Sequence, residues 1–323
     1  MSRTTIAIAG AGDLAKHLVE ELLASSSSYD IVVLTTGPRP WFNRPNVTLH
    51  IVTYTLPSIL SVLNSTRASV LFSFLNHEDP AAFVTANKAL LDAARASTHT
   101  KRFVPSEYSG DIDRLPDIPR YYVPSRGAFR TILAAQTEVE YTLIGIGWIA
   151  DHFVPKERRH MRDITSVAVW PIDLEKWEWF RIGTGDERVT FTAARDVARG
   201  LVRLVEMTPG SWPPKVYMEG ETTSWNRAVE TLEKHYGKPL TRLQNDRAAR
   251  AQSYDVILKV IEENSHDETS IALLEAYFDE ASVSEGTACP ADLVARQKEE
   301  LFQGIKFRSI DELLKDSERL DKI

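Results

Sequence analysis

The chain has 323 residues, of which 43% are hydrophobic and 26% charged, a composition typical of a globular protein with a substantial core. Its formal net charge of −7 disfavours binding to nucleic acid and to anionic membranes. The single cysteine, Cys289, excludes an intramolecular disulfide framework and a cysteine-rich metal site.

Targeting signals do not stand out at the start of the chain. Met1 is followed by polar residues and then by a predicted strand, without the basic and apolar leader of a secretory signal. No apolar run approaches the ~20 residues that span a bilayer. We therefore expect a cytoplasmic protein that has no membrane partner.

The first predicted strand and helix are joined by a turn that contains two glycines. Residues 6–9 form a short apolar run, and apolar side chains then recur with helical spacing. Gly10 permits a tight turn, and Gly12 lets a pyrophosphate approach the backbone. Asp13 and Leu14 open the helix, where free backbone amides face an anion. The pattern predicts a dinucleotide site, although a tight turn that binds nothing can use the same residues.

A second apolar run, residues 31–34, predicts the next strand. The loop after it has no acid where an NAD-selective enzyme of this kind carries Asp or Glu for the ribose 2′-hydroxyl. Thr35 and Thr36 can donate hydrogen bonds, and Arg39 can supply positive charge to a 2′-phosphate. The loop therefore favours NADP(H) over NAD(H), and the alternative is that Arg39 is an ordinary solvated arginine.

Three more strands are predicted at residues 47–52, 69–74 and 102–104, with helices at 56–63 and 80–96 and Asp79 as an N-cap. In a doubly wound sheet, ligands collect at the carboxyl ends of the strands. The candidate cofactor-binding residues after the fourth and fifth strands are Phe74, Asn76, Pro105, Ser106 and Glu107.

Several segments together resemble a known family. They are the glycine turn and residues 101–108, 141–148, 182–192 and 195–198. In this order they are similar to the isoflavone-reductase-like and NmrA-like group of atypical short-chain dehydrogenases. The resemblance implies a Rossmann domain whose later segments contribute a substrate-binding lobe, with NADPH as the usual cofactor. The group includes reductases of phenylpropanoids, fungal tailoring enzymes, and regulators that bind dinucleotide without turning it over.

Arg126 departs from this family pattern. Reductases that resemble this chain place a lysine at the matching position, where it contacts the nicotinamide ribose and serves proton transfer. A guanidinium stays protonated, so Arg126 can stabilise negative charge or bind ribose and phosphate but is a poor proton donor or acceptor. The change favours, as an alternative, a redox-neutral reaction that stabilises an enolate or oxyanion.

Tyr122 and Arg126 form a Tyr-x-x-x-Arg pattern, similar to the Tyr-x-x-x-Lys pair of ordinary short-chain dehydrogenases. On a continuous helix these two residues would share a face. Pro124 is expected in the first helical turn, which leaves Tyr122 just outside it. Tyr122 is thus a candidate for catalysis, and the alternative is that it simply packs.

A sixth strand is predicted at residues 140–146, and the residues after it point to the substrate. Gly147 would let the backbone approach the nicotinamide, and Trp148 would line the substrate side of the site. His152 is the histidine best placed for acid–base work, and its alternative is a packed or surface role. Clustered tryptophans further on either line a pocket for an aromatic or polycyclic ligand or bury a core: Trp170, Trp177 and Trp179.

The later part of the chain is expected to be mainly helical. Two short strands are predicted at residues 167–170 and 177–180. Thr192 is the expected N-cap of a helix over residues 193–205. Further helices are predicted at 224–236, over much of 246–302, and at 310–320.

These observations predict an α/β protein with a Rossmann-type doubly wound parallel sheet and a smaller, mostly helical substrate-binding lobe. The NAD(P)-binding domain is expected at residues 1–150, with a later contribution from about 190–220, and the discontinuous lobe at 151–323. We expect no metal, no nucleic acid, and a monomer or homodimer.

The predicted function is that of an NADPH-dependent reductase of a small aromatic or polyketide-like substrate, a tailoring enzyme of secondary metabolism. The alternatives are a redox-neutral isomerase, cyclase or dehydratase, and a non-catalytic NADP-sensing regulator. The candidate catalytic residues are Arg126, Tyr122 and His152.

Overall fold

A computed structural model describes residues 3–161 and 169–320. The chain forms two compact units. The first unit consists of Met1–Tyr108, Pro124–Ile144 and Val197–Val216. The second unit consists of Ser109–Val123, Gly145–Asp196 and Tyr217–Ile323.

The first unit contains a six-stranded parallel sheet. Its strands are β1 (Thr4–Ala9), β2 (Tyr29–Thr35), β3 (Val47–Ile51), β4 (Val70–Ser73), β5 (Arg102–Val104) and β6 (Glu140–Tyr141). The helices that connect or follow them are α1 (Asp13–Ala24), α2 (Leu56–Thr66), α3 (Pro80–Ala96), α4 (Ala128–Ala134) and most of α5 (Ala194–Glu206).

The strand order, β3-β2-β1-β4-β5-β6, is that of a doubly wound fold. Residues 6–9 of β1 are fully buried, as expected for a central parallel strand. The order reverses between β1 and β4, and ligands of such sheets bind at the carboxyl ends of the strands beside that point. The predicted Rossmann-type doubly wound parallel sheet is confirmed.

The second unit combines short strands with helices. Its strands are β8 (Trp148–Ile149), β9 (Ile172–Asp173), β10 (Glu178–Trp179), β11 (Val189–Thr192), β13 (Glu221–Thr223) and β14 (Thr241–Arg242). β7 (Leu143–Gly145) pairs with β12 (Lys215–Tyr217), and the boundary between the units falls within each of these two strands. Its helices are α6 (Trp225–Tyr236), α7 (Asp246–Arg250), α8 (Tyr254–Asn264), α9 (Ile271–Val283), α10 (Ala291–Glu300) and α11 (Ile310–Leu320).

Two predicted helix starts are confirmed by their caps. The Asp79 carboxylate accepts a hydrogen bond from the Ala81 amide at 2.9 Å. The Ser224 hydroxyl accepts one from the Arg227 amide at 3.3 Å, and α6 ends at Gly237 in the left-handed conformation. The predicted helices over 246–302 and 310–320 are present as well. Within the described ranges, none of the helices combines the length and apolar character needed to cross a bilayer.

Four predicted boundaries were wrong. The single strand at residues 140–146 is two strands, because β6 pairs with β5 whereas β7 pairs with β12. Thr192 does not cap a helix; it ends β11, and its hydroxyl donates to the carbonyls of Ile146 and Met218. Of the strand predicted at 167–170, residues 167 and 168 lie outside the described residues, and β9 begins only at Ile172.

The fourth boundary concerns Tyr122 and Arg126. Tyr122 ends a 3-10 helix, and Pro124 lies in a π-helical segment, Val123–Gly127, rather than in the first turn of an α-helix. α4 begins only at Ala128. Tyr122 thus lies outside α4, as predicted, and its i, i+4 spacing to Arg126 does not place the two on one face of a continuous α-helix.

Candidate active site

The turn after β1 requires its first glycine. Gly10 has φ +98°, a conformation that L side chains rarely adopt, and a Cβ there would lie 3.2 Å from the Phe74 carbonyl carbon and oxygen. The Gly10 amide donates to the Leu34 carbonyl at 3.0 Å. The turn is therefore pressed against the ends of β2 and β4, beside the point where the strand order reverses.

Gly12 has a different role from Gly10. Its φ of −83° suits any residue, it is exposed, and no atom lies within 4 Å of the position that its Cβ would take. It precedes α1 without a side-chain cap, so the first backbone amides of α1 face open space at the positive end of the helix. A diphosphate fits this position, and a side chain would fill it.

Asp13 and Lys16 adjust the charge at this helix start. The Lys16 ammonium lies 3.0 Å from an Asp13 carboxylate oxygen, and both side chains are nearly buried. A carboxylate beside a bound diphosphate would repel it, and the paired ammonium offsets that repulsion. Sequence reasoning missed Lys16, although it lies one helical turn after the glycines.

The end of β2 carries the residues predicted to bind a 2′-phosphate. The side chains of Thr36 and Arg39 are exposed to solvent. The Thr35 hydroxyl is buried and donates to the Gly37 carbonyl at 3.1 Å, so it holds the loop rather than facing a ligand. Arg39 is therefore accessible at this loop, and its pairing with a 2′-phosphate stays a prediction.

Tyr54, which follows β3, was missed. Its hydroxyl donates to the Leu34 carbonyl at 2.7 Å and accepts from the Gly10 amide at 3.0 Å. Burial raises the pKa of Tyr54 to about 12, while the Gly10 amide and the positive charge of Arg39 act in the opposite direction. The hydroxyl thus stays protonated and joins the glycine turn to β2. Its place after a strand at the carboxyl edge was the signal that could have found it.

Contacts of Phe74 and Arg126 link the segments that follow β4 and β5. The Phe74 ring stacks on Tyr108, with centroids 5.3 Å apart and planes inclined by 21°. Arg126 is buried; its Nε donates to the Glu107 carbonyl at 3.1 Å, and its Nη2 lies 3.5 Å from the Asn76 Oδ1. The predicted cofactor residues Phe74, Asn76, Glu107 and Arg126 are therefore brought together.

Glu107 is engaged by the protein itself. Its buried carboxylate accepts two hydrogen bonds from Arg130, at 2.6 Å and 3.0 Å. Pro105 and Ser106 are buried in the same loop, and the Pro105 carbonyl accepts from the Glu107 amide at 2.9 Å. This loop fixes the Glu107 carbonyl to which Arg126 donates, so it positions the guanidinium.

In the second unit, Gly147 and Trp148 follow β7. Gly147 has φ +64°, and a Cβ there would lie 2.2 Å from the Thr190 carbonyl oxygen, so packing alone already requires a glycine. The half-buried Trp148 ring contacts Phe278 of α9 at a centroid distance of 5.6 Å. Tyr122 contacts the same Phe278 at 6.2 Å. Phe278 was missed, because nothing in its local sequence marks it.

His152 is packed rather than exposed. Its ring lies 4.9 Å from that of Trp170, and 8% of its surface is exposed. Burial lowers the pKa of His152 to about 4, and the charge of Arg159 acts in the same direction. The imidazole is therefore neutral at physiological pH. It can form hydrogen bonds there but is a weak base, and its role in catalysis stays a prediction.

The predicted site residues thus belong to two different units. The cofactor candidates from the glycine turn to Arg126 lie at one edge of the sheet of the first unit, whereas Gly147, Trp148, His152 and Tyr122 belong to the second. Among residues 3–161 and 169–320, no group of three or more His, Cys, Asp or Glu side chains is arranged to hold a metal ion.

Comparison with known proteins gives relatives along the whole chain, although no family model matches. Oxidoreductase swnR of Metarhizium robertsii is 34% identical over 322 residues, which cover 98% of this chain and 99% of that protein. Phenylcoumaran benzylic ether reductase 1 of Arabidopsis thaliana is 22% identical, over 95% of this chain and 96% of that protein.

Solved structures show the same fold. AtPrR2 with NADP+ and (+)-pinoresinol superposes with a TM-score of 0.70 at 18% identity, covering 98% of this chain and 99% of that chain. A ternary complex of leucoanthocyanidin reductase from Vitis vinifera gives 0.69 at 16% identity, covering 97% and 98%. Together with the swnR relatives, these likenesses agree with the motifs read from the sequence. The chain belongs to the isoflavone-reductase-like, NmrA-like family of atypical short-chain dehydrogenases and reductases, and it is an oxidoreductase.

Proposed function

We propose that the protein is an NADPH-dependent reductase of a small aromatic or polyketide-like substrate, acting as a tailoring enzyme in secondary metabolism. The observation that carries the proposal is the pair of glycines after β1. Gly10 is required by its backbone conformation, whereas the space beside Gly12 is left open at the start of α1. The fold neighbours that contain NADP+ or NADPH support the same reading.

Each part of the cofactor has a proposed contact in the first unit. The amides at the start of α1 would hold the diphosphate, and Arg39 would pair with a 2′-phosphate. Arg126, fixed by the Glu107 carbonyl and close to Asn76, would bind the ribose at the nicotinamide end. Pro105 and Ser106 would hold that loop in place. When bound, NADPH supplies a hydride, and the protein supplies position and electrostatics.

Arg126 stabilises negative charge in this proposal and does not transfer protons. Its guanidinium stays charged throughout the physiological range, so it favours a substrate oxygen that becomes more negative as the hydride arrives. Proton delivery is then assigned to Tyr122 or solvent, and His152, which is neutral at physiological pH, is proposed to take part only by hydrogen bonding or by relaying a proton. Gly147 and Trp148 are proposed to line the substrate-binding site.

The experiment traces the transfer of the hydride from NADPH to the product. The protein is incubated with a panel of aromatic ketones, enones and benzylic ethers and with NADPH that carries deuterium at the transferable position. Mass spectrometry of the product should show one deuterium at the reduced carbon. NADPH that is bound but never oxidised in the presence of any bound panel member would contradict the proposal.

A second candidate function is favoured by Arg126. A buried guanidinium in place of the family lysine suits a redox-neutral isomerase, cyclase or dehydratase that stabilises an enolate. Product formed without deuterium, and without loss of NADPH absorbance, would support this candidate.

We also propose that the first unit holds the cofactor and the second binds the substrate, and that the protein is cytoplasmic and a monomer or homodimer. Light scattering during size-exclusion chromatography tests the assembly: a mass of one or two chains is expected, and a larger assembly would contradict it.

A further inference from the structure

The second unit contains a small cavity beside the strands β10 and β14. Its volume is about 240 Å³, and two arginines line it: Arg181, two residues after β10, and Arg242, the last residue of β14. Among the residues that the structure describes, no acidic side chain lines this cavity. The other lining residues are three with amide side chains and three that are apolar: Gln244, Asn245 and Gln252, and Leu243, Ala248 and Ala249. We call it the arginine cavity.

Arg242 is held in place by a buried aromatic ring. Its guanidinium carbon lies 4.9 Å from the centroid of the Trp179 ring, and Trp179 is packed in the core of the unit. The two backbones are fixed as well, because Trp179 and Arg242 are partners in the parallel pairing of β10 with β14. A guanidinium that stacks through its face keeps the N–H groups of its edge for a ligand. Arg242 is therefore preorganised to donate hydrogen bonds.

The charges of the two arginines are not neutralised. Within the two described ranges, no carboxylate forms an ion pair or a hydrogen bond with Arg181 or Arg242. The arginines of the next helix, α7, are by contrast paired with Glu275 and Asp279 of α9. Like charges that share a small cavity repel each other, so a bound anion would relieve this repulsion.

A second cavity shows on which side of Arg242 an anion is favoured. Its volume is about 680 Å³, and both Arg242 and Arg227 line it. Arg227 already pairs with Glu230 at 2.8 Å. Three carboxylates line this second cavity and would repel an anion: Asp186, Glu230 and Glu233. Negative charge is therefore favoured on the side of Arg181, in the arginine cavity.

The charge and size of the arginine cavity fit a phosphate group. A phosphate monoester carries about two negative charges at neutral pH and has three acceptor oxygens, so two guanidinium groups can bind it at once. A single carboxylate has one charge and two oxygens, which one guanidinium already satisfies. Compared with about 30 Å³ for one water molecule in the liquid, the volume leaves room for a short organic group as well.

We propose that the arginine cavity is a binding site for a phosphate group, as the free ion or as a small phosphate monoester, held by Arg181 and Arg242. The site belongs to the second unit, whereas the residues proposed to hold NADPH belong to the first. The inference therefore does not depend on the proposed reductase activity. Because phosphate binds the folded protein through residues of two strands, it should stabilise the fold.

The test is equilibrium dialysis at constant ionic strength and about pH 7.5, where phosphate is largely dianionic. Phosphate could also bind at the proposed 2′-phosphate contact, so every measurement uses the Arg39→Gln background. Inorganic phosphate and methyl phosphate are compared with acetate and succinate. We expect the tighter of the two phosphate probes to bind at least about tenfold more tightly than either carboxylate probe. Tighter inorganic phosphate identifies the free ion as the ligand, and tighter methyl phosphate identifies a monoester.

Three substitutions locate the bound phosphate. Arg181→Gln and Arg242→Gln each remove one charge and should weaken phosphate binding about tenfold or more. Gln252→Glu keeps the size of the side chain but adds a carboxylate to the cavity, and it should weaken binding by at least about as much. Arg227→Gln is the matched control, because this exposed arginine of the same unit is already paired with Glu230, and it should leave the phosphate affinity unchanged.

Absence of saturable phosphate binding would overturn the inference, as would acetate or succinate that binds as tightly as the phosphate probes. Unchanged phosphate affinity in folded Arg181→Gln or Arg242→Gln would place the phosphate elsewhere and overturn it equally. Should Arg242→Gln lose its fold together with the contact to Trp179, the exposed positions Arg181 and Gln252 decide the question. Phosphate should also raise the urea midpoint of the parent protein more than that of Arg181→Gln, and equal shifts would contradict the site.

Discussion

At the scale of single residues, Arg126 separates this chain from the lysine-bearing reductases that it resembles. Its guanidinium is buried and donates to the Glu107 carbonyl, so a positive charge is fixed at the edge where β4 and β5 end. A lysine at this position would lose its proton at a pH at which the enzyme can still be assayed, whereas an arginine keeps its proton there. The substitution therefore has a signature in the pH profile.

Arg126→Lys should add a basic limb to the pH profile of kcat. The variant should lose activity at high pH as the lysine ammonium deprotonates near its ordinary pKa of about 10.4, and the wild-type profile should lack this limb. Arg126→Ala should lower kcat/KM about tenfold or more. Steady-state kinetics across pH measures both effects.

Arg95→Lys, on an exposed part of α3, is the control and should leave the profile unchanged. A pH profile of Arg126→Lys without an added basic limb, or full activity in Arg126→Ala, would show that the guanidinium takes no part in the reaction.

At the scale of elements, the two glycines at the junction of β1 and α1 have different roles. Gly10 allows the turn to pack against Phe74, and Gly12 leaves room beside the start of α1. We therefore expect Gly10 to be needed for the fold and Gly12 for the proposed ligand. Substitution by alanine distinguishes them.

Gly10→Ala should lower the free energy of unfolding by about 1–3 kcal/mol, because φ +98° is strained for alanine and its Cβ would crowd Phe74. Gly12→Ala should cost less than about 1 kcal/mol, since its φ is ordinary and the space is open. It should nevertheless weaken NADPH binding strongly. Urea unfolding and calorimetry of each variant check the pair.

Intact NADPH binding in Gly12→Ala would mean that the diphosphate does not lie against this helix. Equal stability losses in the two variants would contradict the division of roles.

Sequence patterns predicted those elements whose residues carry a local signal. The glycine turn, the cap at Asp79, the helix start near Ser224 and the apolar run of β1 each depend on neighbours in the chain. Partners that are distant in sequence were not predictable. β7 leaves the main sheet to pair with β12, and the π-helical segment before α4 has no sequence signature.

The same distinction applies to the site. Phe74 and Asn76 were predicted because they follow a strand, and Arg126 because it occupies the position of the family lysine; the structure brings them together. Tyr54 reaches Gly10 across 44 residues of sequence, and Phe278 reaches Trp148 from a helix late in the chain. Such contacts arise only from tertiary packing.

At the scale of the whole molecule, stability should depend on pH through His152. Its pKa in the folded protein is about 4, compared with 6.5 for an ordinary histidine, so the unfolded chain binds the proton more readily. The stabilisation is complete above about pH 6.5 and is lost as the pH falls towards 4. His152 should account for about 2 kcal/mol of the loss between pH 7 and pH 5.

Urea unfolding of the wild-type protein and of His152→Gln at both pH values isolates this contribution. The variant should lose correspondingly less stability on acidification, and His266→Gln, with an exposed side chain, is the control. The same acid sensitivity in His152→Gln as in the wild-type protein would contradict the buried, neutral histidine.

At the same scale, we expect the edge of the sheet in the first unit to hold NADPH, with its diphosphate at the start of α1 and its 2′-phosphate beside Arg39. Isothermal titration calorimetry of the wild-type protein and of Arg39→Gln with NADPH and NADH tests it most directly. We predict that the wild-type protein binds NADPH at least about tenfold more tightly than NADH and that Arg39→Gln removes most of this preference. Absence of binding heat for either nucleotide, together with no displacement of a fluorescent nucleotide analogue, would contradict the account.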